Sequence, residues 1–250
     1  MNPNWQSAMS ESSLRNIAIA AGTLYLITHV TSIGAVILYS PILNNANYVL
    51  GAGADALVIL GAIFDIVLTL AIAGTAVALH PVVKQWGEGI ALGYVGLRIL
   101  EAGIIAVGVV PLLVVVTMRQ YVAETAIADP ETLMTVSHSL VAFYNETALL
   151  GPGLVCGVNT VLMAYLMFKS RLVPRFIPVL GLVGGPVIFA YTVVRMFGHF
   201  EQMPDWMAIA VIPIFAWEVS LALWLIGKGF RTTSVASYPV RAASEMRRAV

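Results

Sequence analysis

Charge is scarce in this chain: Asp, Glu, Lys and Arg together make up 10% of 250 residues, while 59% are hydrophobic. A soluble domain carries about 25% charged residues, so an ordinary soluble globule is excluded. Neither sign prevails, because thirteen basic and thirteen acidic side chains give a formal net charge of zero. No overall positive field gathers polyanions, and nucleic acid is not expected as a partner. Cysteine is nearly missing too. Cys156 is alone, which excludes an intrachain disulfide, a CxxC redox pair and a zinc site built on several thiolates. The four histidines include no i, i+4 pair, and no metal is expected. Walker loops, HExxH helices, GxSxG elbows and glycine-rich dinucleotide fingerprints do not occur. Lys84, Lys169 and Lys228 all fall at span boundaries, so no buried lysine is available for a retinal Schiff base. Gly51-Ala52-Gly53-Ala54-Asp55 superficially resembles the GxGD of intramembrane aspartyl proteases. Its glycine and aspartate are not adjacent, and the reading is rejected. No cofactor is expected.

What the chain does hold is long apolar runs. A hydrocarbon core of about 30 Å needs about 20 apolar residues per helix, and six stretches qualify: Asn16–Tyr39, Ala54–His80, Gly89–Thr117, His138–Phe168, Arg175–Phe197 and Trp206–Gly227. The expected fold is all-α, a polytopic six-transmembrane-helix bundle. The first stretch is too long for a signal's apolar region and has no small-residue cleavage site after it, so it reads as a retained helix. Ser12, Ser13 and Arg15 mark its start. Basic residues concentrate at Arg15, Lys84, Lys169–Arg175 and from Lys228 onward, whereas only Arg119 and Arg195 fall on the opposite side. The positive-inside rule then places both termini in the cytoplasm. The expected organisation is a cytoplasmic segment 1–15, a six-helix domain 16–228 and a flexible basic tail 229–250. On the outer side, Asp129-Pro130-Glu131 reads as an N-cap, first-turn proline and dipole-complementing acid, so the fourth helix begins before the membrane.

Charges in mid-span are expensive, and those that remain are expected to face the bundle interior. Counting helical rise from the cytoplasmic ends places Tyr25, His29, Asp65, Arg98, Glu101 and Glu218 roughly 14–22 Å deep. Glu146 and Arg195 come out at the outer boundary by the same count. Gly22, Tyr25, His29 and Ser32 form one face of the first helix, and Tyr94, Arg98 and Glu101 one face of the third, with Arg98 and Glu101 close enough to touch. Three carboxylates against one guanidinium leave an excess that calls for a proton or a cation. Two readings stand side by side. Either Arg98 staples helices through Asp65 or Glu218, or these groups form a proton or small-ligand site. Tyr25 and His29 are the weaker members, since a polar stripe usually serves interhelical contact.

Gly151-Pro152-Gly153 is expected to interrupt the fourth helix, and Pro178, Pro186 and Pro213 to kink later spans. Such breaks occur around transporter cavities and also as plain kinks. Gly89-x-x-x-Gly93 and Gly181-x-x-x-Gly185 read as close-packing faces, within one chain or between copies.

Leu14-Arg15-Asn16-Ile17 followed by Ala21-Gly22-Thr23-Leu24-Tyr25, then Phe64-Asp65, Leu97-Arg98-Ile99-Leu100-Glu101-Ala102 and Ser170-Arg171-Leu172-Val173-Pro174-Arg175 together resemble a bacterial multi-pass family catalogued as domain of unknown function four-three-eight-six. The resemblance runs from Leu14 to Lys228. It implies a bacterial cytoplasmic (inner) membrane protein and directs attention to Asp65, Arg98 and Glu101, without supplying an activity. Leu149–Gly153 departs from the family's aromatic, glycine-containing pattern. Three functions remain open. The first is a proton-linked transporter or small-ligand-binding protein with a midplane carboxylate and arginine site. The second is a noncatalytic regulatory or assembly partner of another membrane protein, and the third an intramembrane lipid-modifying enzyme. A noncatalytic role is favoured over an enzymatic one. Expected partners are the lipid bilayer, a small-molecule ligand, and a second copy or another membrane protein.

Overall fold

The computed structural model describes residues 10–51, 53–125, 129–197 and 209–231. Every regular element among them is helical: α1 Glu11–Leu38, α2 Ser40–Leu43, α3 Asp55–Val83, α4 Glu88–Thr125, α5 Pro130–Ala148, α6 Cys156–Ser170, α7 Phe176–Met196 and α8 Ile212–Gly227. Short tight turns lie at Tyr48–Leu50 and Lys84–Trp86, and a wide π turn at Leu149–Val155 joins α5 to α6. Six helical segments are long and apolar enough to cross a membrane, with α5 and α6 counting as one of 41 residues. The expected start of the last span at Trp206, His199, and the tail beyond Arg231 lie outside the described residues.

Local chemistry sets the ends. Ser10, not Ser12 or Ser13, caps α1 by accepting the backbone N–H of Ser13, so that helix begins a turn ahead of Asn16. Asp129 accepts the N–H groups of Glu131 and Thr132, with Pro130 as the first helical residue. The Thr132 hydroxyl, then those two backbone donors, hold the Asp129 carboxyl below its usual value. This cap is in place above the ordinary aspartate range and is lost as pH falls through the lowered value. On the opposite side, Arg15 donates from Nη1 and Nη2 to the carbonyls of Leu225 and Ile226, placing a cation on the terminal carbonyls of α8. Gly229, at φ +74°, ends that helix in the left-handed region that favours glycine.

Gly151-Pro152-Gly153 widens the fourth span instead of interrupting it. Pro152 lacks an N–H, and the π turn absorbs the missing bond without unwinding the helix. The two glycines let the wide turn approach its neighbours: a Cβ on Gly151 would meet Ile104 at 3.2 Å, and one on Gly153 would meet the Thr192 hydroxyl oxygen at 2.5 Å.

The spans pack in chain order. α1 lies on α3, α3 on α4, α4 on α5 and α6, α6 on α7, and α7 on α8, while α8 returns to α1 and closes the ring. Short connections favour antiparallel neighbours. The half nearest the termini is filled by Trp217, Tyr25, Tyr94, Met163, Leu166 and their neighbours. The far half holds a second cluster around Tyr39, Tyr48, Leu112 and Val115. Leu68 and Ile72 of α3 meet Ala102 and Ile105 of α4 in a small cluster of their own.

Candidate functional site: a buried arginine and its carboxylates

Helical period on α4 aligns Tyr94, Arg98 and Glu101, and the ring turns that face inward: Arg98 is 2% exposed and Glu101 3%. Each arm of the guanidinium is engaged. Nε donates to the Tyr94 hydroxyl at 3.3 Å, Nη1 to Glu101 Oε2 at 3.1 Å, and Nη2 to Glu218 Oε1 at 3.3 Å. The rings of Tyr25 and Tyr94 lie 5.3 and 5.9 Å from its central carbon, within cation–π range. Their hydroxyls meet at 3.0 Å. Glu101 Oε2 also accepts from Asn159 Nδ2 at 2.7 Å, which brings α6 into the centre.

His29 of α1 stands at the less buried edge. Its Nε2 is 3.6 Å from Glu218 Oε2, both side chains are 14% exposed, and its ring lies 4.9 Å from that of Phe215. Its Nδ1 is 3.0 Å from the Tyr25 carbonyl oxygen. A carbonyl only accepts, so Nδ1 carries hydrogen and neutral His29 turns a bare Nε2 lone pair toward Glu218. Two acceptors thus face each other across 3.6 Å.

Five of the six expected residues therefore converge: Tyr25, His29, Arg98, Glu101 and Glu218, contributed by α1, α4 and α8. Asp65 does not join them. Its Oδ2 accepts the Tyr39 hydroxyl at 2.9 Å, and Tyr39 packs edge-on against Tyr144 at 5.4 Å. Of the two expected staples, the one through Glu218 forms and the one through Asp65 does not. The reason is rotation about α3, which turns Asp65 toward α1 and α5. Leu68 and Ile72 continue inward from Asp65, and Ala102 and Ile105 outward from Arg98. Helical rise puts Asp65 roughly 8 Å farther along the bundle than Arg98, and the apolar cluster packs between their two helices.

Sequence reasoning missed Asn159, an amide among apolar residues whose only signal was its depth in the fourth span. It also missed a second ion pair at the far end of the bundle. Arg119 donates from Nε to Asp55 Oδ1 at 2.6 Å and from Nη2 to Asp55 Oδ2, while Nη1 reaches the Gly51 carbonyl at 2.9 Å. Tyr48 and Gln120 also donate to Asp55. This paired arrangement ties the α2–α3 connection to α4. Asp55→Ala is expected to cost about 2 kcal/mol and to speed limited proteolysis between residues 40 and 54. Unchanged cleavage would assign the restraint elsewhere.

The two glycine motifs part company. A Cβ on Gly185 would meet the Gly157 carbonyl oxygen at 2.6 Å and one on Gly181 would meet Ala164 at 2.8 Å, whereas Gly89 has nothing within 4 Å and Gly93 only Leu162 at 3.4 Å. Among the described residues no group of three or more His, Cys, Asp or Glu is placed to hold a metal ion.

A family model described as Domain of unknown function (DUF4386) matches residues 20–229. No curated protein and no solved structure matches the chain.

Proposed function

We propose that this chain, which belongs to the DUF4386 family, is a proton-linked transporter of the bacterial cytoplasmic membrane, with both termini cytoplasmic. The observation that carries the reading is the pairing of His29 Nε2 with Glu218 Oε2 across 3.6 Å, beside an arginine engaged by two carboxylates. Arg98 balances one of Glu101 and Glu218, and one proton on His29 or Glu218 balances the other. At membrane depth an uncompensated charge is costly. Asp65, hydrogen-bonded to Tyr39 beyond the apolar cluster, supplies a second station. The apolar layer between stations keeps water from joining them, as alternating access requires. Arg98 has its donors on protein carboxylates, so it positions Glu218 and does not by itself select an anionic substrate.

Proteoliposomes carrying a pH-sensitive dye, driven by a potassium diffusion potential, test this. Glu218→Gln and His29→Gln are expected to lower proton flux at least tenfold while leaving the detergent-solubilised protein folded. Flux equal to that of the unaltered protein in both variants removes the proton centre.

The assembly reading has an observation of its own. Gly89, Gly96 and Gly103 recur every seven residues on the exposed face of α4, with nothing within 4 Å of any of them. Such a stripe permits close approach of another helix. Disulfide trapping through Gly96→Cys in the membrane supports this reading if a crosslinked species forms, and a monomer alone counts against it.

A further inference from the structure

The turn that joins α6 to α7 sorts its side chains by polarity. Arg171 ends α6 at φ 58°, in the left-handed region, with its N–H on the Met167 carbonyl. That reversal buries Leu172, Val173 and Pro174 and leaves Lys169 and Arg175 exposed on either side of them. The chain leaving α8 joins the same turn: the Arg231 N–H donates to the Leu172 carbonyl at 2.9 Å, and Phe230 before it is buried. Lys169, Arg175 and Arg231, all exposed, are thereby gathered at the end of the bundle that also carries Arg15 and Lys228.

Among the described residues none of these three cations has a carboxylate within ion-pair distance. Each is steadied by an aromatic ring instead. Arg175 lies 5.1 Å from the ring of Phe168, Arg231 5.6 Å from that of Trp224 and Lys169 6.0 Å from that of Tyr165. A ring face attracts a guanidinium and orients it, but it supplies no counter-charge and no acceptor for the in-plane N–H donors. Like charges held together in this way call for an anion, and phosphate oxygens match the fork of an arginine.

The neighbouring surface decides which kind of anion fits. Phe176, Val179, Val183 and Val187 recur at steps of three and four along α7, and all are exposed. They form one apolar stripe beginning beside Arg175 and running roughly 18 Å along the helix, about one leaflet of a 30 Å hydrocarbon core. A soluble anion gains nothing from that stripe, whereas an acyl chain covers it. A zwitterionic head would bring its own ammonium against the cations. We propose that Lys169, Arg175 and Arg231 hold the phosphodiester head of an anionic phospholipid, with an acyl chain lying along the exposed face of α7.

The test follows the full chain in a neutral detergent by native mass spectrometry, with phosphatidylglycerol or phosphatidylethanolamine of the same acyl chains added. Phosphatidylglycerol is expected to be retained about tenfold more strongly. Arg175→Gln combined with Arg231→Gln is expected to abolish that preference with the unfolding midpoint unchanged, and Lys169→Gln alone to lower it about threefold. Arg175→Lys combined with Arg231→Lys keeps the charges and is expected to keep most of the preference. Arg247→Gln combined with Arg248→Gln removes the same two charges elsewhere in the chain and is expected to change nothing. Glu218→Gln is likewise expected to leave retention unaltered, which separates this site from the proton centre. Equal retention of the two lipids, or an unchanged preference in the glutamine variants of the cluster, overturns the proposal. So does an equal loss in the Arg247 and Arg248 variant, which would show diffuse attraction in place of a site. Displacement of the lipid by excess inorganic phosphate assigns the cluster to a soluble anion and overturns it as well.

Discussion

Arg98→Met is expected to destabilise the folded bundle by about 3–5 kcal/mol, the range for removing one partner of a buried ion pair. The loss exceeds that of a few hydrogen bonds because of what remains. Among the described residues Glu101, 3% exposed, keeps the Asn159 amide as a donor, while Glu218 is left facing the Nε2 lone pair of His29 at 3.6 Å, with no donor in place of the arginine. Two carboxylates would then face each other across a space that neither water nor a cation readily fills. The variant Arg98→Met with Glu101→Gln and Glu218→Gln is therefore expected to recover most of the stability, since glutamine carries no charge to compensate. Proton flux is not expected to return with it. Reversible unfolding in mixed micelles reads stability, and the liposome assay reads flux. Recovery of both would reduce the centre to an interhelical staple. Recovery of neither would show that the packing of the arginine stem, not its charge, holds the helices.

Gly185→Leu is expected to cost about 3 kcal/mol or more, at the upper end of overpacking penalties, and to lower the yield of folded protein sharply. The contact is reciprocal: a Cβ on Gly185 would lie 2.6 Å from the Gly157 carbonyl oxygen, and one on Gly157 would lie 2.9 Å from that of Gly185. Backbone oxygen on both sides leaves no flexible side chain to give way, so α6 and α7 must separate. Gly89→Leu, with nothing within 4 Å of the new Cβ, is expected to change monomer stability by less than about 0.5 kcal/mol. Unfolding midpoints of the two variants in one detergent decide the matter, and equal losses would contradict the packing described.

The contrast between these glycines shows where reading the chain runs out. Both G-x-x-x-G motifs carry the same spacing, and nothing within either run reveals which one has a helix against it. The same limit separated Asp65 from Arg98. Each position could be placed along its own helix, because rise per residue is fixed, and both came out near mid-depth. What rise cannot give is the azimuth of one helix relative to its neighbours. Asp65 turns toward Tyr39, while Glu218, solitary among apolar residues on its own helix, reaches the arginine. Asn159 was invisible for a related reason: a lone amide has no partner within its own span, and its function comes from the helix beside it.

Six membrane-spanning lengths, the inward stripe Tyr94-Arg98-Glu101 and the Asp129 cap were determined by the sequence alone, because each depends on composition or on contacts within four residues. Closure of the ring by α8 against α1, the choice of Glu218 over Asp65, and the meeting of Gly157 with Gly185 were decided only by tertiary structure. These join residues dozens of positions apart, and packing of whole helix faces, not any local preference, fixes which of them meet.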